Sequence, residues 1–111
     1  MIAGGQFCVH RTPSRSAVRP LVIVLQCNDF ARMPTRVVAP LVRPDAMPSP
    51  GSEHARVAPV LVVQGGGFVL NPFDLATLGV HRLGALVASV ADDDDAKRRI
   101  QDALDMVLKP F

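Results

Sequence analysis

Prolines and glycines interrupt most of the chain at short intervals and then give way to an unbroken C-terminal stretch. The chain contains ten prolines and eight glycines, and none of them falls between Gly84 and Pro110. Proline cannot donate to a β-ladder and glycine favours turns, so apolar runs before Gly84 are confined to short strands. This spacing predicts a series of brief strands followed by a single helix.

The apolar runs themselves predict where the strands lie. Leu21–Leu25 is β-branched at its three central positions and too short for a typical helix, so we expect a strand buried on both faces. In the predicted strand Thr35–Leu41, Pro40 marks the end of the strand or an edge position. Further strands are expected at Phe7–His10, Val57–Val63 and Phe68–Leu70, the last two joined as a hairpin through Gly65–Gly67.

The remaining segments before the helix are predicted as irregular. Met1–Gly5 is expected to form a loose leader, and the prolines between Pro44 and Ser52 exclude a ladder and predict a surface loop. The stretch from Leu75 to Gly84 mixes apolar residues with glycine, which indicates short turns with at most a small strand.

The C-terminal stretch has the pattern of an amphipathic helix. Asp92–Asp95 lies where a helix N-terminus favours negative charge. The apolar residues that repeat with helical spacing are Ile100, Ala103, Leu104, Val107 and Leu108. We expect a helix that runs to about Leu108 and is stopped by Pro110. Five or six strands with one helix predict a mainly β (α+β) fold, a small bent antiparallel sheet or barrel with the helix packed on it.

Length and composition limit the classes of protein. The 111 residues, 49% of them hydrophobic, suffice for one core, so we assign residues 1–111 to a single domain. Leu21–Leu25 is the longest aliphatic run and is far below the ~18 residues needed to cross a membrane, which predicts a cytoplasmic protein without a membrane partner. Cys8 and Cys27 are predicted to be reduced core thiols. The net charge of +2 is too small and too spread out to indicate nucleic-acid binding by itself.

No motif supplies catalytic chemistry, a metal site or a cofactor site. The glycines after Val63 are followed by a predicted strand and therefore fit a hairpin turn better than a phosphate loop. His10, His54 and His81 lie in separate segments without metal-ligand spacing. Consecutive aspartates in Asp92–Asp95 cannot converge on one cation. The sequence therefore predicts a protein that is not an enzyme and needs no cofactor.

Several blocks together resemble one known family. They are Gln6–Val9, Pro20–Gln26, Thr35–Leu41 and Ile100–Met106, followed by the terminal Phe111. In their order and spacing they resemble the CcdB toxins of bacterial toxin–antitoxin operons, from about Gln6 to Phe111. The resemblance implies an SH3-like barrel with a C-terminal helix and a homodimer. It also implies a poison that binds the DNA gyrase A subunit and traps the cleaved DNA complex.

The resemblance further implies partners and a binding site. A CcdA-like antitoxin is expected to neutralise the toxin and to repress the operon with it, so that operator DNA is bound only through the antitoxin complex. In the family the gyrase-binding residues are the last three, typically Trp-Gly-Ile, and the matching positions are Lys109, Pro110 and Phe111. All three residues differ from the family pattern. Phe111 is expected to replace the missing tryptophan as the apolar anchor.

A second resemblance leaves an alternative open. Val18–Leu25 and Val37–Leu41 also resemble the MazF-type toxins, which share the barrel but cut RNA. Arg19 and Thr35 are the nearest equivalents of the arginine and threonine that assist cleavage in that family. The Gly-Asp strand opening and the Gly-Ser-Glu loop of that family are absent. An inactive module that only binds the antitoxin is a third reading.

Overall fold

A computed structural model describes residues 3–13, 19–46 and 57–109. Within these residues, seven antiparallel strands form one curled sheet, a half-barrel, and a helix follows them. The elements are β1 (Cys8–Arg11), β2 (Leu21–Val24), β3 (Thr35–Val42), β4 (Val60–Val63), β5 (Gly66–Leu70), β6 (Ala76–Gly79), β7 (Leu86–Ser89) and α1 (Asp94–Val107). Short 3-10 turns lie at Asn28–Phe30, Pro44–Ala46 and Val80–Arg82. This architecture confirms the predicted mainly β fold with a C-terminal helix.

The longest strand, β3, determines how the sheet curls. Its first half pairs with β6, where Arg36 lies opposite Leu78, and its end pairs with β5, where Leu41 lies opposite Leu70. Along its other edge β3 pairs with β2, and β1 and β7 follow beyond β2. Two strands thus occupy one edge of β3 in succession, which lets the sheet close partly on itself.

Pro40 lies inside β3, and the prediction that it ends the strand or marks an edge position is wrong. The residue is buried and lies opposite Val22 of β2. Its carbonyl accepts from the N–H of Asn71 at 3.1 Å, so its missing N–H faces the same edge, which β5 and β6 share. Pro40 falls between the pair Val38–Ala76 and the pair Leu41–Leu70. Because the partner strand changes at this point, the missing donor leaves either ladder intact.

The helix packs its apolar stripe against the face of the sheet that carries the main core cluster. Ala96 and Ile100 belong to the main core cluster, and Leu104 packs against it from one side. The members contributed by the strands include Val9, Leu21, Ile23, Ala39, Leu41, Leu61, Val63 and Leu70. A second cluster on the other face joins Val22, Val24 and Val38, with Leu78 and Leu83 packed against it. All four residues of β2 are buried, which confirms the prediction for this strand.

Both ends of α1 are capped, and the N-terminal cap is supplied by the predicted aspartates. Asp93 is the N-cap residue, and its side chain accepts from the N–H of Ala96 at 3.0 Å. Asp95 accepts from Arg98 at 2.8 Å and from Arg99 at 3.0 Å along the helix surface. The helix ends at Val107, and Leu108 caps it with an N–H bond to the carbonyl of Leu104 at 2.8 Å.

Replacing Leu104 with aspartate tests the packing of α1. Leu104→Asp places a carboxylate against the main core cluster, so we expect the free energy of unfolding to fall by about 2 kcal/mol. Leu108→Asp is the matched control, because Leu108 is 63% exposed on the same helix end. Urea unfolding of both variants measures the difference. Equal stability of Leu104→Asp and the wild type would show that the helix does not pack through this residue.

The region between β3 and α1 departs from the sequence prediction in three places. The hairpin turn is Gln64-Gly65, with φ angles of 50° and 79°, and the glycines after it belong to β5. The predicted strand from Val57 begins only at Val60. Strand β7 is absent from the sequence prediction. All four of its residues are partly buried, so its sequence shows no alternation of apolar and polar residues. The predicted loop Pro44–Ser52 begins with an exposed 3-10 turn, and its residues 47–52 lie outside the described residues.

The residues before β1 are held against the sheet. Gly4 is buried; its N–H donates to Nε2 of His10 at 3.1 Å, and its carbonyl accepts from Nε of Arg36 at 2.9 Å. The carbonyl of Gly5 accepts from the N–H of Cys8 at 3.1 Å. The prediction of a loose leader is therefore wrong for Gly4 and Gly5, while residues 1 and 2 lie outside the described part of the chain.

The two cysteines differ in environment. Neither Cys8 nor Cys27 forms a disulfide within the described residues, but Cys8 is buried and Cys27 is exposed. The prediction of a core position is correct for Cys8 and wrong for Cys27, because β2 has ended before Cys27 and the chain there enters the exposed turn Asn28–Phe30. None of the described helices is long and apolar enough to cross a membrane.

Candidate functional site

The C-terminal end of α1 projects apolar side chains away from the core. Met106 is 61% exposed and Leu108 is 63% exposed, although helical spacing placed Leu108 in the buried stripe. Lys109, one of the three predicted gyrase-binding residues, follows them and is exposed. Pro110 and Phe111, the other two predicted gyrase-binding residues, lie outside the described residues.

An open depression of about 730 Å³ lies on this end of the helix. Leu104, Met106 and Leu108 supply its apolar lining, and Asp102, Asp105 and Lys109 supply charge. Gln101 donates from Nε2 to Asp105 at 2.9 Å, which fixes one carboxylate at the rim. This combination of exposed apolar groups with a few charges is suited to contact with another macromolecule.

The structure does not bring Arg19 and Thr35 together. Leu21 lies opposite Leu41, so Arg19 lies at the end of β2 nearest Arg43. Thr35 begins β3 at the opposite end of the same strand pair. Eight residues separate Thr35 from Arg43, or about 26 Å along an extended strand. Arg19 forms an ion pair with Asp74 instead. The pair that the MazF resemblance singles out therefore does not form one site.

Two other arginines, Arg11 and Arg43, lie close to one cleft, although neither is among the candidate residues that the sequence indicates. Arg11 ends β1 opposite Leu21, and Arg43 follows the end of β3, so both lie at the same end of the half-barrel. They line a cleft of about 220 Å³ together with Gln64 and Phe68. Only the strand register reveals this grouping, because two strands, β2 and β3, separate the two arginines in sequence. We call this cleft the barrel mouth.

The described histidines and acidic groups do not cluster as metal ligands would. No group of three or more potential metal ligands lies close together within residues 3–13, 19–46 and 57–109. His10 is buried, and it joins Gly4 to the loop before β7: its Nε2 accepts from Gly4 and its Nδ1 donates to the carbonyl of Gly84 at 2.9 Å. His81 is exposed, and His54 lies outside the described residues.

Comparison with solved structures identifies the fold. The chain is similar to an endoribonuclease in complex with its cognate antitoxin from Mycobacterial species, with a TM-score of 0.72 and 20% sequence identity. The likeness covers 100% of this chain and 99% of the other. The two chains thus share an α+β small-barrel fold.

The sequence assigns the chain to one family. The model of the CcdB protein family matches residues 6–109, nearly the whole chain. The chain therefore belongs to the CcdB family of toxins from toxin–antitoxin systems. No curated protein matches it significantly.

The fold likeness contradicts the prediction that the chain is not an enzyme. An endoribonuclease has the same fold over the full length of both chains. That prediction depends on the lack of motifs for a protein nucleophile or a metal site, but RNA carries its own nucleophile in the 2′-hydroxyl group. Cleavage of RNA therefore needs neither a protein nucleophile nor a metal site, and the lack of such motifs does not exclude an enzyme.

Proposed function

We propose that this CcdB-family toxin binds the DNA gyrase A subunit through the C-terminal end of α1 and traps the cleaved DNA complex. The observation that carries the proposal is the pair of exposed apolar side chains, Met106 and Leu108, directly before the tail. Water solvates such groups poorly, and their burial against a partner is favourable. The matching family position, Lys109, is exposed on the same surface.

The three tail residues are assigned separate roles in this proposal. Lys109 provides a cation for an acidic surface of gyrase. Pro110 limits the conformations of the tail, since its ring fixes φ. Phe111 is the apolar anchor, a role that large aromatic side chains often fill in interfaces.

The proposed partner that neutralises the toxin is a CcdA-like antitoxin. Family membership supports it, and the similar solved structure contains an endoribonuclease with its cognate antitoxin. In the proposal the antitoxin complex, and not the toxin alone, binds operator DNA. The gyrase target places the toxin in the cytoplasm.

A gyrase cleavage assay tests the proposed function. Purified toxin is incubated with gyrase, ATP and supercoiled plasmid, and the reaction is stopped with detergent and protease. We expect linear DNA to accumulate with toxin concentration and to disappear when the antitoxin is added. A reaction without gyrase is the control. Absence of both linear DNA and gyrase binding would overturn the proposal.

The fold likeness to an endoribonuclease favours cleavage of RNA as a second candidate function. Total RNA is incubated with the purified protein in a metal-free buffer and analysed on a denaturing gel. Discrete fragments would favour the ribonuclease and count against the gyrase proposal. Intact RNA together with gyrase-dependent DNA cleavage would favour the gyrase proposal.

The proposed homodimer has a candidate interface near the edge strand β4. Val60 is 49% exposed and Val62 is 71% exposed on this strand. The carbonyl of Val60 accepts from Arg99 of α1, and Met106 lies in the same cleft as Arg99. The proposed dimer contact involves the apolar groups of β4 alone, which leaves Met106 exposed for gyrase.

Light scattering tests the dimer. We expect twice the monomer mass at micromolar concentration, since a two-fold contact would cover this apolar surface. Val62→Lys should weaken dimerisation at least about tenfold, because it would bury an unpaired ammonium group. Val37→Lys, on a partly exposed valine of β3, is the matched control. A mass near 11.9 kDa at every concentration would contradict the prediction.

A further inference from the structure

The barrel mouth combines positive charge with an apolar floor. Arg11 and Arg43 are exposed at its rim, and none of the described residues that line it is acidic. The floor consists of Leu21, Val63 and Phe68, which belong to the main core cluster or pack against it. An apolar recess between two guanidinium groups favours a ligand that has both a flat apolar part and a negative charge.

Polar groups at the rim are fixed by the fold. Gln64 belongs to the hairpin turn and donates from Nε2 to the carbonyl of Val87 at 3.2 Å. This bond holds the amide in place and leaves its oxygen as an acceptor. The strand ladders hold the backbone at Arg11, which lies opposite Leu21. The rim therefore offers donors for an anion and an acceptor for the edge of a ring.

Charge is distributed unevenly over the molecule. Six of the ten acidic residues fall between Asp92 and Asp105, on α1 and directly before it. At the strand ends near the barrel mouth, Arg19 adds a third guanidinium, which is paired with Asp74. The charge of the mouth itself therefore comes from Arg11 and Arg43, while most acidic residues lie on or beside α1.

We infer that the barrel mouth binds single-stranded nucleic acid, with one base in the recess and the flanking phosphates on Arg11 and Arg43. The recess of about 220 Å³ is too small for a whole drug-sized ligand, for which ~300 Å³ is a lower limit, but it accommodates one group of a polymer. A base supplies the flat apolar body that Phe68 can stack on or contact at its edge. An acidic peptide supplies charge without that body, and a duplex keeps its bases stacked inside. This site is distinct from the proposed gyrase-binding tail.

Fluorescence anisotropy tests the inference with labelled decanucleotides of RNA and of DNA, and with a labelled decaglutamate peptide. We expect saturable binding of at least one nucleic acid and weaker binding of the peptide. Two phosphate contacts predict a slope of about −1.4 for the logarithm of the binding constant against the logarithm of salt concentration. Binding of RNA alone would add recognition of the 2′-hydroxyl to the inference. Binding of the peptide alone, or of none of the probes, would overturn it.

Charge-matched variants separate a defined site from general attraction. Arg11→Gln combined with Arg43→Gln should weaken binding about a hundredfold, or about tenfold for each contact. The control combines Arg32→Gln with Arg82→Gln, which removes the same charge from exposed positions that do not line the mouth. Equal losses in both double variants would overturn the inference. Thermal unfolding confirms that each variant is folded.

The outcome is independent of the proposed gyrase binding. A variant that lacks Phe111 should bind the decanucleotides as the wild type does, whereas the mouth variant should retain gyrase binding. Loss of nucleic-acid binding on tail deletion would contradict the inference. Failure of the gyrase assay alone would leave the nucleic-acid result unchanged.

Discussion

Replacing Arg36 with methionine should lower the free energy of unfolding by about 4 kcal/mol, at roughly 1 kcal/mol for each carbonyl that loses its donor. Arg36 is only 8% exposed and donates to the carbonyls of Gly4, Ala31, Met33 and Thr35 at distances of 2.6 to 2.9 Å. Methionine fills much of the same volume but donates nothing. The melting temperature should fall by about 15 °C.

Two further variants make this result specific. Arg36→Lys keeps the charge, but its compact ammonium group cannot reach four carbonyls in a fixed fork, so we expect an intermediate loss. Arg32→Met is the matched control, because Arg32 is exposed in the same segment. Urea unfolding gives the three values. A loss for Arg36→Met no larger than that for Arg32→Met would show that these hydrogen bonds do not hold the N-terminal residues to β3.

Arg36 also shows where sequence reasoning stops. The strand Thr35–Leu41 was predicted from its apolar residues, and β3 confirms it with one residue more. The residues around Arg36 do not indicate that it is buried. Two of the four carbonyls that accept from it belong to Gly4, before β1, and to Ala31, after β2. A charged residue is normally exposed, and Arg36 is buried only because of its tertiary hydrogen bonds.

The helix was predictable because its evidence is local. The repeat that contains Ile100 and Ala103 has the helical period, and both residues are buried. The aspartates before it supply the N-cap. Strand β7 lacked such evidence, since its pairing with β1 connects residues far apart in sequence. Gly84 precedes it because a Cβ there would lie 2.7 Å from the carbonyl oxygen of Arg11.

The two candidate sites also differ in whether the sequence alone could reveal them. The tail at Lys109 was inferred from a family pattern at the end of the chain, and its assignment stays a prediction. The barrel mouth depends on the register of β1, β2 and β3, which brings Arg11 and Arg43 to one end of the sheet. Apolar alternation predicts strands but does not specify which strands become neighbours. Sites built across a sheet are therefore found only after the topology is known.

Deleting Phe111 should abolish growth inhibition and gyrase binding. In the proposed interface this residue is the apolar anchor, and truncating such an anchor typically weakens binding by ~2 kcal/mol or more, about thirtyfold. The helix surface before it, with Leu108 63% exposed, is already outside the core. Removal of one terminal residue should therefore leave the melting temperature nearly unchanged.

Two comparisons make the deletion a test of function and not of folding. Antitoxin binding, measured by calorimetry, should be nearly unchanged, because the proposal assigns Phe111 to gyrase alone. Phe111→Leu, which keeps an apolar group but reduces its contact area, should retain part of the gyrase affinity. A deletion that unfolds the domain would make Phe111 a core residue, and a full-length protein that never binds gyrase would remove the target. Loss of gyrase binding with intact stability and intact antitoxin binding is the combination that an anchor in the tail requires.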